Sequence, residues 1–254
     1  MDDAAGPPRM TQLTFHGPLS EDRAATMTRR LTRADATTVL DIGCGWGEFM
    51  LRVLEVTPGA TGIGIDLSEE DLVRGRANAE ARGLAERVRF VRESAVDTSH
   101  GPADIVLCLS AGHALSDLQP PESVTAAVHA LRRLVNPGGR VLLGETFWQR
   151  PPTPDDLSAL WPGASTSDLP NLPDLVDLAI AAGFRPAWIE TASNDEWEHF
   201  QSASKADVEE WLATHADHPL AEGTRERVDR LRTMWLRGHR GVMGLAYLTL
   251  LPVS

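Results

Sequence analysis

Apolar positions along this chain follow two alternating periods. Residues 38–42 (TVLDI), 61–66 (TGIGID), 88–91 (VRFV), 104–109 (DIVLCL) and 140–147 (RVLLGETF) are short β-rich runs, and they predict strands. The run at 104–109 is nearly continuous, the pattern of a strand buried on both faces. Helical spacing fills the intervals. Over residues 20–36 Ser20 is the expected cap, Glu21 and Asp22 sit in the first turn, and Ala24, Met27 and Leu31 share a face. A second helix is expected over 48–55, and a third starts at Ser68, where Asp71 three residues on gives a capping-box pattern. Val124, Val128, Leu131, Leu134 and Val135 mark one stripe of a fourth, stopped by Asn136-Pro137-Gly138-Gly139. Strands interleaved with helices predict a parallel sheet covered on both faces, and right-handed crossovers make it a doubly wound α/β fold.

Two segments break this rhythm. Six prolines and a Trp161-Pro162-Gly163 turn lie between Pro151 and Pro173, which reads as a lid over a site or as a surface loop. A helix over 175–183 and a sixth strand over 184–191 follow. Residues 193–240 then read as two or three amphipathic helices, opened by a second capping-box pattern at Ser193 and Glu196, before a seventh strand over 243–251. The expected organisation is an N-terminal helical cap segment (1–37, with 1–12 frayed), a core (38–147), a Pro-rich lid or loop (148–174), two pieces completing the sheet (175–192 and 242–254) and a helical insertion on the substrate side (193–241).

Composition narrows the function. The chain has 254 residues, 42% of them hydrophobic, with 24 basic against 36 acidic side chains and a net charge of −12. That hydrophobicity is too high for a disordered chain. There is no apolar run of about 18 residues and no signal-peptide pattern, so a cytoplasmic protein without a membrane partner is expected. The acidic balance lacks the phosphate-neutralising charge of a DNA-binding protein. Cys44 and Cys108 are too few for a disulfide framework or a zinc site, so they read as buried thiols and no metal is expected.

In an open parallel sheet the ligand sits beyond the carboxyl ends of the strands, where helix N-termini present free N–H groups. The first such loop is Asp41-Ile42-Gly43-Cys44-Gly45-Trp46-Gly47-Glu48, whose alternate glycines allow a sharp turn and a close approach to a ligand. Asp66, at the end of the second strand, is placed to accept two ribose hydroxyls. A dinucleotide fingerprint carries glycine where Glu48 stands, and an anion there opposes a pyrophosphate. With Asp41 on the same loop, the pattern suits a nucleoside carrying positive charge.

Residues 39–49, VLDIGCGWGEF, resemble the first motif of the Rossmann-like, class I S-adenosylmethionine-dependent methyltransferases, with Asp41, Gly43, Gly45 and Gly47 on the signature positions. The likeness continues through Gly64-Ile65-Asp66, residues 104–115 and residues 131–143 (LRRLVNPGGRVLL). It implies a doubly wound, seven-stranded, mostly parallel sheet with helical cap and lid insertions. It also implies S-adenosylmethionine as cofactor, S-adenosylhomocysteine as product and no metal. By position, Gly43, Gly45 and Gly47 would line the methionine and ribose, Asp66 would hold the ribose hydroxyls and Leu67 would pack on the adenine. Many relatives have Gly-Asp-Ala after the third strand; Glu93-Ser94-Ala95 stands here, leaving the adenine to Ser94, Ala95 or a backbone carbonyl. Leu109 and Ser110 would run beside the sulfonium.

Methyl transfer needs a base only if the acceptor must lose a proton. His113 and Glu145, at the carboxyl edge, are the candidates; each also reads as a structural residue. His16 either covers the cofactor or is a loop histidine. Trp148, Trp161, Trp197 and Trp235 fall in the interrupting segments, where they would line a pocket for a flat or cationic acceptor or form the core of a helical cap. Arg225, Arg227, Arg230, Arg232, Arg237 and Arg240 form a solvated face or an anionic-acceptor site. The leading expectation is methylation of a small organic acceptor at N, O or C in bacterial biosynthesis, by a monomer or homodimer. The alternatives are a peptide, protein or RNA acceptor, a cofactor-binding module without turnover, and a dehydrogenase, which Glu48 disfavours. The DNA amino-methylase pattern Asn-Pro-Pro-aromatic is replaced by Ser110-Ala111-Gly112-His113.

Overall fold

The alternation of buried side chains along the strands decides which helices cover which face. The computed structural model describes residues 6–33 and 35–253. Seven strands form one sheet in the order β3-β2-β1-β4-β5-β7-β6, with β1 (Thr38–Ile42), β2 (Thr61–Asp66), β3 (Val88–Arg92), β4 (Ala103–Leu109), β5 (Val135–Trp148), β6 (Phe184–Thr191) and β7 (Met243–Pro252). β1 to β5 pair in parallel, and β7 runs antiparallel between β5 and β6. The strand order turns back between β1 and β4, which opens the crevice expected of a doubly wound sheet.

On one face Leu40, Ile42, Val106, Cys108, Leu143 and Leu248 meet α4 (Glu122–Leu134) and α6 (Leu172–Ala181). Val39, Ile105, Leu107, Leu142, Leu245 and Tyr247 point the other way, onto α1 (Glu21–Leu31) and α2 (Glu48–Val56), with Ala79 of α3 (Glu69–Ala81) in the same core. At the amino edge one carboxylate fixes three strands. Asp104 accepts hydrogen bonds from the backbone and hydroxyls of Thr37 and Thr38 and from Asn136 Nδ2. Burial alone would raise its pKa, but these donors outweigh it and hold the group at about 2.

Several expectations need correcting. α1 ends at Leu31, five residues short of the expected end, because the chain turns extended at Thr32. Asn136-Pro137-Gly138-Gly139 does stop α4 but lies inside β5, as an irregularity between the pairs Ala103↔Val135 and Ile105↔Arg140. The Pro-rich segment holds a short helix, α5 (Pro154–Ala159), capped reciprocally by Thr153 and Asp156, and α6 begins three residues earlier than its spacing suggested. The insertion resolves into α7 (Asn194–Thr214), α8 (Ala221–Thr233) and a π-helical turn, Met234–His239.

α7 begins with the expected reciprocal box between Ser193 and Glu196. Glu196 does more than cap. Its carboxylate also accepts from Ser20 N, Ser20 Oγ and Arg23 Nε, tying the start of α7 to the start of α1. Farther along α7, Asp207 accepts from Thr11 N and Thr11 Oγ1. Residues 10–19 are thereby strapped across the carboxyl edge of the sheet.

Burial raises the pKa of Glu196, and the bonds from Arg23, Ser193 and Ser20 overcome this to bring it down to about 2. A folded-state value below the ordinary 4.5 means that the stabilisation is complete above that pH and is lost as pH falls towards 2. Glu196→Gln is expected to cost about 2 kcal/mol at pH 7 in urea unfolding. The gap from wild type should shrink on acidification; a gap independent of pH would refute the assignment.

Candidate active site

A cavity of about 610 Å³ opens at the carboxyl edge, between the loops after β1 to β4 on one side and residues 15–19, α7 and β7 on the other. Asp41, Gly43, Asp66, Leu67, Ser94, Ala95, Leu109, Ser110 and His113 all line it. Gly45 and Gly47, on the same loop, are not among its lining residues.

The glycine loop is shaped by its protein neighbours. Gly43 has φ +61°, and a Cβ there would come within 2.3 Å of the Ala111 Cβ, so the loops after β1 and β4 touch because that side chain is missing. Gly47 caps α2 in the left-handed region, and a Cβ would strike the Phe90 ring. The loop amides are not a free nest. Cys44 N donates to Ile65 O, Gly47 N to Cys44 O, and Gly45 N to Asp66 Oδ2 at 2.8 Å. Ser68 N binds the other Asp66 oxygen at 2.8 Å, which fixes the carboxylate at the cavity wall.

Two acidic groups on this loop differ in their partners. Glu48 is buried and lines the cavity, and Arg52 and Arg82 pair with it at 2.7 and 2.6 Å, which offsets its charge. The repulsion of a pyrophosphate expected of Glu48 is thus reduced, and the engaged amides of Cys44, Gly45 and Gly47 oppose one as well. Asp41 is 4% exposed, faces the cavity and accepts no hydrogen bond from any described residue. Burial, with the nearby Asp66 charge, raises its pKa well above the usual carboxylate range. A cationic ligand in the cavity would offset that cost of burial.

Other expected residues are elsewhere. Glu145 is corrected as a cavity base. It alternates with Leu143 onto the α4 face, bonds Thr146 N at 3.0 Å, and sits under the 3-10 turn Gly112–Leu115, where a Cβ on Gly112 would be 2.2 Å from Oε2. His113, on that turn, is exposed at the cavity, and no bond from a described residue engages its ring. The four tryptophans do not line the cavity. Trp148 packs with Val242 and Met243 and donates to Thr166 O; Trp161 is at the surface, bonded to Asp168. Trp197 and Trp235 stack at 5.7 Å beside His239, where the insertion packs onto the α1–α2 side of the sheet. The Pro-rich segment contributes no residue to the cavity, so it is not its lid. None of the six arginines of the insertion lines it either; Arg232 pairs with Glu209 and Asp229, and Arg240 with Glu198.

Its roof is the N-terminal strap, which the sequence reading treated lightly. Phe15, His16, Gly17 and Leu19 close the cavity together with Phe200 of α7 and Leu245 and Tyr247 of β7. The Tyr247 hydroxyl donates to Pro18 O at 2.8 Å, and burial pushes its pKa upward, so this phenol is a fastening rather than a base. A lone tyrosine on the strand face that also carries Leu245 was the available signal.

A methyltransferase domain model matches residues 39–139. The chain is 28% identical over 216 residues to the uncharacterized protein YjhP of Escherichia coli, covering 85% of this chain and 84% of that one. The crystal structure of YjhP superposes with a TM-score of 0.80 at 25% identity, covering 96% of this chain and 100% of that one. An S-adenosylmethionine-dependent methyltransferase from Geobacter sulfurreducens, solved with S-adenosylhomocysteine, gives a TM-score of 0.81 at 26% identity, covering 97% of this chain and 99% of that one. The domain match and these superpositions indicate a class I, Rossmann-like S-adenosylmethionine-dependent methyltransferase. A probable methyltransferase of Aspergillus luteorubrus, ltbC, is 28% identical over 233 residues, 85% of this methyltransferase and 78% of its own length. The cofactor of the family fits the residues present. It is a cation with a ribose, and the site offers an unpartnered buried Asp41 and a fixed Asp66 with lone pairs at the wall.

Gly43→Ala is expected to cost this methyltransferase about 1–3 kcal/mol and to lower cofactor affinity, since both φ and the Ala111 contact oppose it. Gly59→Ala is the control: φ is +86° but a Cβ there meets nothing within 4 Å, so only the backbone penalty remains. Thermal melts and calorimetry with S-adenosylhomocysteine separate the two effects.

Proposed function

We propose that this methyltransferase transfers the methyl group of S-adenosylmethionine to a small organic acceptor bound in the strapped cavity. The observation that carries the reading is the make-up of that cavity. At about 610 Å³ it lies within the range of roughly 300–1,000 Å³ typical of small-molecule sites, its far end is walled by Phe15, Leu19, Phe200, Leu245 and Tyr247, and no lysine or arginine lines it. A nucleic-acid acceptor would call for basic side chains on the wall. A polypeptide would call for an open groove where the strap now lies.

When bound, the cofactor supplies a methyl group already activated on a sulfonium. Asp41 would neutralise its positive amino-acid end, and Asp66, its oxygens oriented by Gly45 N and Ser68 N, would accept hydrogen bonds from the ribose hydroxyls. Leu67 and Ala95 would flank the adenine, and Ser94 would offer its hydroxyl, which already accepts from Val96 N. Leu109 and Ser110, at the end of β4, would stand beside the sulfonium. Ser110 has φ +58°, a position fixed by the bond from its N–H to Gly144 O at 2.8 Å. The strap and the apolar wall exclude water and hold the acceptor in line, the arrangement from which most of the rate enhancement would come. His113 is a cavity side chain placed to take a proton from an acceptor hydroxyl or amine.

The decisive experiment is incubation with labelled S-adenosylmethionine and a fractionated metabolite extract, with label expected in a low-molecular-weight product. Label found only in protein or RNA would overturn the reading. Asp66→Ala should weaken S-adenosylmethionine binding about tenfold or more in calorimetry, and NAD should bind neither form. For an acceptor that loses a proton, His113→Ala is expected to lower turnover roughly a hundredfold with unchanged cofactor affinity, and Glu145→Gln to leave turnover close to wild type. Full activity in His113→Ala would remove the base from the mechanism.

A further inference from the structure

The site as described has negative groups and few donors. The N–H groups of Cys44, Gly45 and Gly47 are engaged within the protein, and no lysine or arginine lines the cavity. The cofactor assigned above carries its carboxylate on the same carbon as its ammonium group, so with the ammonium on Asp41 the carboxylate would stand close to the loop that Asp41 opens. A buried carboxylate without a donor is costly. The side chain that lies over the loop comes from the strap: His16 lines the cavity with its ring above Gly45, close enough that a Cβ there would be 3.2 Å from Nδ1.

We propose that His16 donates a hydrogen bond from its imidazole to the α-carboxylate of the cofactor, which makes the N-terminal strap part of the cofactor site. This rests on the S-adenosylmethionine reading. The ring is held for that role from below. It stacks on Trp46 at 4.8 Å and 11°, Trp46 Nε1 donates to Thr14 O at 2.8 Å, and the Arg74 guanidinium covers Trp46 at 3.9 Å. Arg74 also donates to Met10 O and Leu13 O, so the stack and the strap share one anchor. Neither imidazole nitrogen is bonded to a described residue, which leaves both for a ligand. Burial lowers the His16 pKa, so at neutral pH the ring carries a single N–H and serves as an uncharged donor.

Two ligands separate this contact from mere packing: S-adenosylhomocysteine and its decarboxylated analogue, which lacks only the carboxylate. In calorimetry His16→Phe, which keeps a flat ring for the Trp46 stack, should bind S-adenosylhomocysteine about tenfold more weakly than wild type and the analogue equally well. His16→Gln, which restores a donor, should recover part of the loss. In hydrogen exchange, S-adenosylhomocysteine should protect residues 10–19 in wild type and much less in His16→Phe. Equal weakening of both ligands would show that His16 only packs the strap, and unchanged affinity for both would show no contact; either result overturns the proposal while leaving the cofactor assignment intact. Failure of wild type to bind S-adenosylhomocysteine at all would overturn both.

Discussion

The carboxyl edge of this sheet is built on contacts that leave no room for side chains. Ala111 occupies the space a Gly43 Cβ would need, Phe90 the space beside Gly47 and Gly75, and Cys44 the space beside Gly64. These close approaches draw the ends of β1, β2 and β4 together and put Asp41, Asp66 and Ser110 around one cavity. The glycines of the motif thus act first on the protein and only through it on a ligand. Packing of this density transmits small displacements, so the loop and the acidic groups it carries behave as one rigid piece.

Carboxylates across the fold fall into two groups. Glu48, Asp104, Glu196 and Asp207 are saturated by arginines, hydroxyls and amides, and each fastens separate parts of the chain. Asp41 has no such partner although it is nearly inaccessible. The proposed binding of a cationic cofactor rests on this bare carboxyl in the cavity.

The core was legible because its signals are local. β2 and β6 lie within the bounds the pattern gave, Ser20, Ser68 and Ser193 cap their helices, and the loop from Asp41 to Glu48 is where the spacing put it. The site was legible only where backbone motifs determine it. Glu145 was misplaced because lying at the right end of a strand does not say which face a residue takes; pairing of Glu145 with Ala246, next to Gly144 with Tyr247, settles that. Trp197 and Trp235 carried two readings, a pocket wall or a packed cap, because aromatic composition cannot tell a ligand wall from a core; the structure packs them. The roof was hidden for a different reason. Thr11, Ser20 and Pro18 meet partners on α7 and β7, and nothing in residues 10–20 alone announces them.

That last feature bears on how the protein is made. The bonds that secure the roof join residues 176, 196 and 229 positions apart in the chain, whereas the parallel core draws on nearer neighbours. During synthesis residues 10–20 can meet Trp46 and Arg74 soon after those are made, whereas their partners on α7 and β7 come much later. The glycine-loop half can thus assemble with one side of the strap attached, and the cover is tied down only when α7 and β7 arrive. A nascent chain therefore passes through a stage with a finished floor and a half-fastened top.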